Sequence, residues 1–303
     1  MVQFCTISFN YNRNNIINLY FTSLYDHLIL RSPNTMLELV DILFIIQWEQ
    51  DMDLQLTGKT ALVTGASIGL GVAIAKRLAS EGCRLAILAR RENLLQQVAD
   101  EIAATGAERP LIIVEDITSD GMAERIQSVT AKHFGDVDIL INNAGGSRPM
   151  AGLGTEEEWA EGMLLNFTAA RRLTHALLPG MQSNKFGRIV NLTGSDEPLV
   201  INTAAPPNGA VHFWAKALSR KVGAEGITIN SIPPGRIHSE QIDTRLLPSE
   251  EIQQAWVDQN CPAGYIGEAD DLAVLAVFLC SPLARYISGQ VIHVDGGARH
   301  YAH

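Results

Sequence analysis

The sequence predicts a doubly wound α/β domain built on one parallel sheet over residues 52–303. Three observations predict it. Short apolar runs alternate with longer stretches of helical periodicity, the runs are apolar nearly throughout, and a glycine-rich turn joins the first run to the first helix. Such alternation implies right-handed βαβ units and a sheet covered on both faces. Strands buried on both faces need apolar side chains at successive positions, as these runs have.

In chain order, candidate strands fall at 60–63, 84–88, 111–114, 139–141, 188–192, 228–232 and 291–294. Helix-like stretches lie between them at 71–81, 92–104, 122–134, 157–181, 211–222 and 269–279. No internal repeat or low-complexity linker interrupts residues 52–303, so a single domain is expected there.

The net charge of −10, from 23 basic and 33 acidic residues, argues against nucleic acid or an anionic membrane as the main partner. Cys5, Cys83, Cys261 and Cys280 are widely spaced and form no CxxC pair. A metal cage or disulfide framework is therefore not expected, and a reducing, cytoplasmic setting fits.

Residues 1–51 differ in composition. They contain no Gly and no Ala, and an Asn-rich run spans 10–18. Their most apolar stretch, at 42–46, is far short of the roughly 20 residues that cross a bilayer. Met36, Leu39, Val40, Leu43, Phe44 and Ile46 recur at helical spacing, consistent with one amphipathic helix. Met52 then opens a stretch that reads like a natural beginning, so 1–51 is expected to be a non-catalytic N-terminal extension.

The first strand runs into Thr64-Gly65-Ala66-Ser67-Ile68-Gly69-Leu70-Gly71, and a helix with Val72, Ile74, Ala75 and Leu78 on its inner side follows. Glycines at a strand-to-helix turn let the backbone approach a pyrophosphate, and the helix N-terminus presents free N–H groups to it. This is the signature of a Rossmann-type dinucleotide fold. At the end of the second strand, such folds place an acid when they select NAD. Here the chain reads Leu88-Ala89-Arg90-Arg91-Glu92. Guanidinium groups bind a 2′-phosphate as a fork, so NADP(H) is expected, with Arg90 the leading contact and Arg91 beside it.

Further motifs join the TGxxxGxG turn: Asn142-Asn143-Ala144-Gly145 after one strand, Pro234-Gly235 after another, and Asp295-Gly296-Gly297 near the C-terminus. Together they resemble the short-chain dehydrogenase/reductase family over essentially all of 52–303. Within it the pattern is most similar to 3-oxoacyl-acyl-carrier-protein reductases and related ketone reductases. The resemblance implies a seven-stranded parallel sheet and a homo-oligomer, tetramer or dimer. It makes Gly65, Ser67, Ile68 and Gly71 the phosphate turn, and sets Asp116 and Ile117 beside the adenine. It puts Asn143, Ala144 and Gly145 under the adenosine ribose, and Pro234, Gly235 and Ile237 at the nicotinamide carboxamide. Asp295-Gly296-Gly297 is then a structural turn.

Members of that family use Ser, Tyr and Lys, with an Asn that holds a water in the proton relay. Asn166, in LLNFTAARRLTHALLPGM, takes the asparagine's place, and Lys216 takes the lysine's, where it also holds the nicotinamide ribose. The tyrosine should stand four residues before the lysine on the same helical face, and that residue is His212. The serine's register falls on Gly194, flanked by Thr193 and Ser195 as the available hydroxyls. Imidazole passes protons near neutral pH, but it reaches about 2 Å less far than a phenol, while transfer needs heavy atoms within about 3 Å. Beyond Pro234-Gly235, Ile242, Leu246, Leu247 and Trp256 either close over an apolar substrate or pack a short helix.

Two readings follow. The first is an NADP(H)-dependent oxidoreductase acting on a carbonyl/alcohol pair, with Asn166, Ser195, His212 and Lys216 as catalytic candidates. The second is a dinucleotide-binding protein with little or no redox activity and a binding or regulatory role. The intact lysine, asparagine and nicotinamide loop favour the first; the missing tyrosine and displaced serine favour the second.

Overall fold

Strand β1 (Thr60–Thr64) is buried at every residue, and β2 (Arg84–Ala89) is buried from its second residue onward. In the computed structural model, which describes residues 52–147, 150, 152–194, 197, 200–240 and 242–301, these strands lie in a six-stranded parallel sheet. Residues 1–51 and Ser195 lie outside the described residues. The remaining strands are β3 (Leu111–Val114), β4 (Ile139–Asn142), β5 (Gly187–Leu192) and β6 (Ile227–Ile232). Their order is β3-β2-β1-β4-β5-β6. The chain builds outward from β1 to β3, then returns to set β4 against β1, with Ala61 opposite Ile139. The crevice at the carboxyl ends of β1 and β4 is thus a topological switch point, where open α/β sheets bind ligands.

Alternation along the strands divides the core into two faces. Ala61, Val63, Leu85 and Ile87 pack under α1 (Gly69–Ser80), α2 (Glu92–Ala104) and α8 (Ala269–Cys280). Leu62, Ala86, Leu88 and Leu140 pack under α3 (Met122–Phe134), α5 (Ala169–Ser183) and α6 (Ala205–Val222). Leu54–His303 forms one compact unit. Among the described residues no helix is long and apolar enough to cross a membrane.

Three expectations change. The segment at 291–294 joins β6 only through single bridges, Ser231 with Val291 and Pro234 with Val294, so the sheet has six strands and not seven. The helix expected at 157–181 is two helices, α4 (Glu156–Met163) and α5, joined by a wider π turn, Leu164–Thr168. The helix expected from residue 211 begins at Ala205. Pro206 and Pro207 lie in its first turn, where backbone N–H groups have no intrahelical partner, and Asn202 Oδ1 accepts from Ala204 N and Ala205 N.

The stretch beyond Pro234-Gly235 packs a helix. Ile242, Leu247, Val257, Cys261 and Ile266 form a small cluster with Trp256 against it, around a π turn (Ile242–Leu246) and α7 (Glu250–Asn260). Leu246 remains exposed.

Candidate active site

The glycine-rich turn is braced from β4. Asn143 Nδ2 donates to Thr64 O at 2.9 Å and Gly65 O at 3.1 Å, and Thr64 Oγ1 accepts from the N–H groups of Asn143 and Ala144. Gly65 has φ +67°, a left-handed backbone suited to glycine. A Cβ on Gly71 would stand 2.4 Å from Gly65 O. The turn is therefore closed tightly around backbone.

The N-terminus of α1 carries what an anion needs. Ile68, its N-cap, is extended and offers no side-chain cap, and no acid lies in the first turn. Its N–H groups and positive dipole end are left to a ligand. These residues fit a dinucleotide pyrophosphate. Thr64, buried at the end of β1, was not among the site residues expected from sequence; its hydroxyl serves as a brace whose partners lie 77–80 residues away in sequence.

Both arginines at the end of β2 meet carboxylates. Arg90 Nη1 lies 3.8 Å from Asp116 Oδ2, and Arg91 Nη1 lies 3.5 Å from Glu240 Oε2. Asp116 also accepts from Thr118 N and Thr118 Oγ1; these bonds, then Arg90, hold its carboxyl below the usual range. The Arg91–Glu240 pair joins the end of β2 to the loop after β6, four strands across the sheet. A Cβ on Gly69 would lie 3.9 Å from Ser239, so the same loop crosses the phosphate turn.

Among the residues expected at the nicotinamide, Pro234 bridges to Val294, Gly235 packs on the Asp295 backbone, and Ile237 is buried and paired with Gly267. The Ile237 side chain packs in the hydrophobic core. Asn166 sits within the π turn. Its Oδ1 accepts from Gly146 N at 2.9 Å, and its Nδ2 donates to Gly146 O and Gly162 O. Both N–H groups of the amide are thus committed to backbone. Isolated π turns recur at functional positions.

His212 is placed on α6, beside the end of β5. Its Nε2 lies 2.9 Å from Thr193 Oγ1, the first residue past that strand. Thr193, one of the two hydroxyls left open by the sequence, is thus joined to His212, and the other, Ser195, lies outside the described residues. Lys216 follows one turn later with its stem against Gly289, where a Cβ would stand 2.9 Å from Cδ and 3.3 Å from Nζ. At Gly194, the serine's register, a Cβ would stand 2.6 Å from Asn208 Nδ2. Asn208 was not expected from sequence, because nothing local tells which helical residue fills the space above a glycine in another element.

The loop after β5 is tied to the C-terminal tail. Glu197 accepts from Arg299 Nε, His300 N and Tyr301 N, at 3.2, 3.0 and 3.0 Å. Asp295 caps the turn before that tail by accepting from Gly297 N and Arg299 N, which agrees with a structural part for Asp295-Gly296-Gly297. A groove of about 740 Å³ runs from Ser67, Ile68 and Gly69 of the glycine-rich turn along α1, α2 and the start of α8, and His212 does not line it. Its charges are already paired, Lys76 with Glu101 and Arg77 with Asp270.

A family model described as Enoyl-(Acyl carrier protein) reductase matches residues 65–299. The chain is 38% identical over 245 residues to the 3-oxoacyl-[acyl-carrier-protein] reductase FabG of Haemophilus influenzae, covering 79% of this chain and 98% of that protein. Among solved structures it is similar to the L-sorbose reductase of Gluconobacter frateurii complexed with NADPH and L-sorbose. That match has a TM-score of 0.79 at 29% identity and covers 82% of this chain and 100% of the other. A 7α-hydroxysteroid dehydrogenase complexed with NADH and 7-oxo glycochenodeoxycholic acid matches with a TM-score of 0.77 at 30% identity, over 84% and 99% of the two chains.

Proposed function

The chain belongs to the short-chain dehydrogenase/reductase family, and from that membership we propose that it is an NADP(H)-dependent oxidoreductase interconverting a carbonyl and an alcohol. The observation that carries the reading is the His212–Thr193 pair, set at the carboxyl end of the sheet on the helix that also bears Lys216.

The dinucleotide is held by the phosphate turn of Gly65, Ser67, Ile68 and Gly71, by Arg90 and Arg91, and by Pro234, Gly235 and Ile237 at its nicotinamide end. When bound, it supplies or accepts a hydride at the substrate carbon. The chain's own residues handle the proton. In alcohol oxidation, Thr193 Oγ1 takes the proton of the substrate hydroxyl and passes its own to His212 Nε2; reduction runs the transfer backwards. The 2.9 Å contact removes the need for the shorter imidazole to reach the substrate directly. The resemblance gives Lys216 the nicotinamide ribose; its side chain is exposed one turn beyond His212, with its stem against Gly289. Asn166 fixes the loop after β4 through its side chain, which leaves any relay water to its backbone.

The test is turnover of a panel containing a 3-oxoacyl thioester, a keto sugar and a keto steroid, measured with NADPH and with NADH. We expect NADPH-dependent reduction of at least one class. We also expect an Arg90→Ala chain whose NADPH Kd rises about tenfold while its NADH Kd stays unchanged, as loss of a charge-assisted bond to the 2′-phosphate requires. Tight NADPH binding without turnover of any substrate would identify a binding or regulatory protein instead. Residues 52–303 alone should reproduce these results if 1–51 has no catalytic part.

The proposal extends to a homo-oligomer in a reducing compartment. Helix α8 is strongly apolar yet leaves Val274 exposed, and Leu283 and fully exposed Tyr286 follow it. A helix apolar on most sides calls for a covering surface. A monomeric mass by light scattering at micromolar concentration would exclude the assembly. Cys83, Cys261 and Cys280 are free and buried, as a reducing setting permits.

A further inference from the structure

The space over Gly194 is filled from another element. We propose that Asn208 is the residue that holds the substrate carbonyl oxygen, through Nδ2–H, in place of the serine hydroxyl that the family uses. This assignment rests on the oxidoreductase reading above and extends it to a group that the family's pattern does not contain.

Gly194 is the position where that serine would stand, and it has no side chain to offer. A Cβ there would lie 2.6 Å from Asn208 Nδ2, so the amide as placed lies in the space that a side chain at 194 would take. The neighbouring residue, Thr193, is bonded to His212. Asn208, His212 and Lys216 stand at successive four-residue steps along α6, which puts them on one stripe of a single rigid helix. Neighbours on such a stripe have Cβ atoms about 6 Å apart, a distance that an amide and an imidazole can span around one oxygen atom.

The chemistry suits the placement. An amide carries two N–H donors, and the Asn208 side chain makes no hydrogen bond to another described residue. It is half-buried, so its donors meet a site partly screened from water. During reduction, hydride from the reduced nicotinamide forms the new C–H bond as the carbonyl π bond breaks. The electron pair moves to oxygen, where Asn208 Nδ2–H stabilises the growing negative charge. That oxygen then takes the proton from Thr193 Oγ1, which is resupplied by Nε2–H of the imidazolium form of His212, leaving the neutral ring. A neutral donor aimed at the oxygen acts chiefly when charge develops there, so its loss falls on kcat more than on cofactor binding.

The experiment compares five full-length chains: unsubstituted, Asn208→Ala, Asn208→Asp, Gly194→Ser and the double variant of Gly194→Ser with Asn208→Ala. With Asn208→Ala, kcat/KM should fall about 100-fold, the loss typical of one removed donor, while NADPH Kd stays within about twofold. Asn208→Asp keeps the shape and removes both donors, so it should show the same loss. Gly194→Ser alone should be impaired, because its Cβ meets the amide. The double variant has room for the serine and should recover at least about tenfold over Asn208→Ala. Thermal midpoints supply a readout independent of turnover: Gly194→Ser should lower the midpoint with Asn208 present and not once alanine replaces it. The role is overturned if Asn208→Ala keeps the unsubstituted kcat/KM, if the double variant gains nothing, or if the midpoints are additive. Absence of turnover in the unsubstituted chain overturns the oxidoreductase reading and this role with it; turnover that survives Asn208→Ala overturns this role alone.

Discussion

Replacing His212 with alanine should lower kcat by about two to four orders of magnitude, the range for loss of a positioned general acid or base. The expectation rests on geometry. His212 Nε2 is the group joined to Thr193 Oγ1, and alanine leaves that hydroxyl with nothing to exchange protons with at this position. NADPH binding should stay within about threefold, because the phosphate turn and the arginines lie on other elements. His212→Tyr probes the same position from the other side. A phenol reaches about 2 Å further, into space that the Thr193 hydroxyl now occupies, so tyrosine should not exceed histidine without a further change at 193. An inactive natural chain that gains activity with tyrosine would instead mean that position 212 lies idle in this protein.

Gly71→Ala should abolish measurable dinucleotide binding, raising Kd for NADPH by more than about 100-fold. The added Cβ would stand 2.4 Å from Gly65 O and 2.6 Å from Asn143 Nδ2. Neither is the loose end of a flexible side chain. One is backbone in a turn with φ +67°, and the other is the amide that ties the turn to β4. Relief requires the turn to open, and the N–H groups of α1 then lose their aim at the pyrophosphate. Gly106→Ala is the control, since its φ of +88° carries backbone strain but nothing lies within 4 Å of the new Cβ. It should cost about 1 kcal/mol of stability and leave Kd unchanged. Fluorescence titration with NADPH, beside a thermal melt of each chain, separates the two effects. Binding by Gly71→Ala within threefold of the unsubstituted chain would refute the cradle.

The helices at 92–104 and 122–134 were legible to the residue, because each closes a local pattern: amphipathic spacing, then a break at Thr105 or Gly135. The start of α6 was not legible. Pro206 and Pro207 read as loop residues until the first turn of a helix makes their missing N–H groups harmless. Asn166 was found by its motif, but not the commitment of its amide to Gly146 and Gly162, which depends on a π turn that periodicity does not reveal.

The order of residues alone specified the parallel α/β class, the glycine-rich turn between β1 and α1, and the arginines at the end of β2. These are local matters. Steric limits on single residues and periods of 2 and 3.6 act over a few positions and are written in order along the chain. Tertiary structure alone decided that Thr193 meets His212, that Asn208 fills the space over Gly194, and that Arg91 reaches Glu240 across the sheet. It also decided that the segment at 291–294 joins β6 only by single bridges. Each is a meeting between elements, set by how far a helix enters against a strand end and which side chains then compete for the space. His212 was visible in the order of residues; the Thr193 hydroxyl that meets it and the Asn208 amide over Gly194 were visible only in the fold.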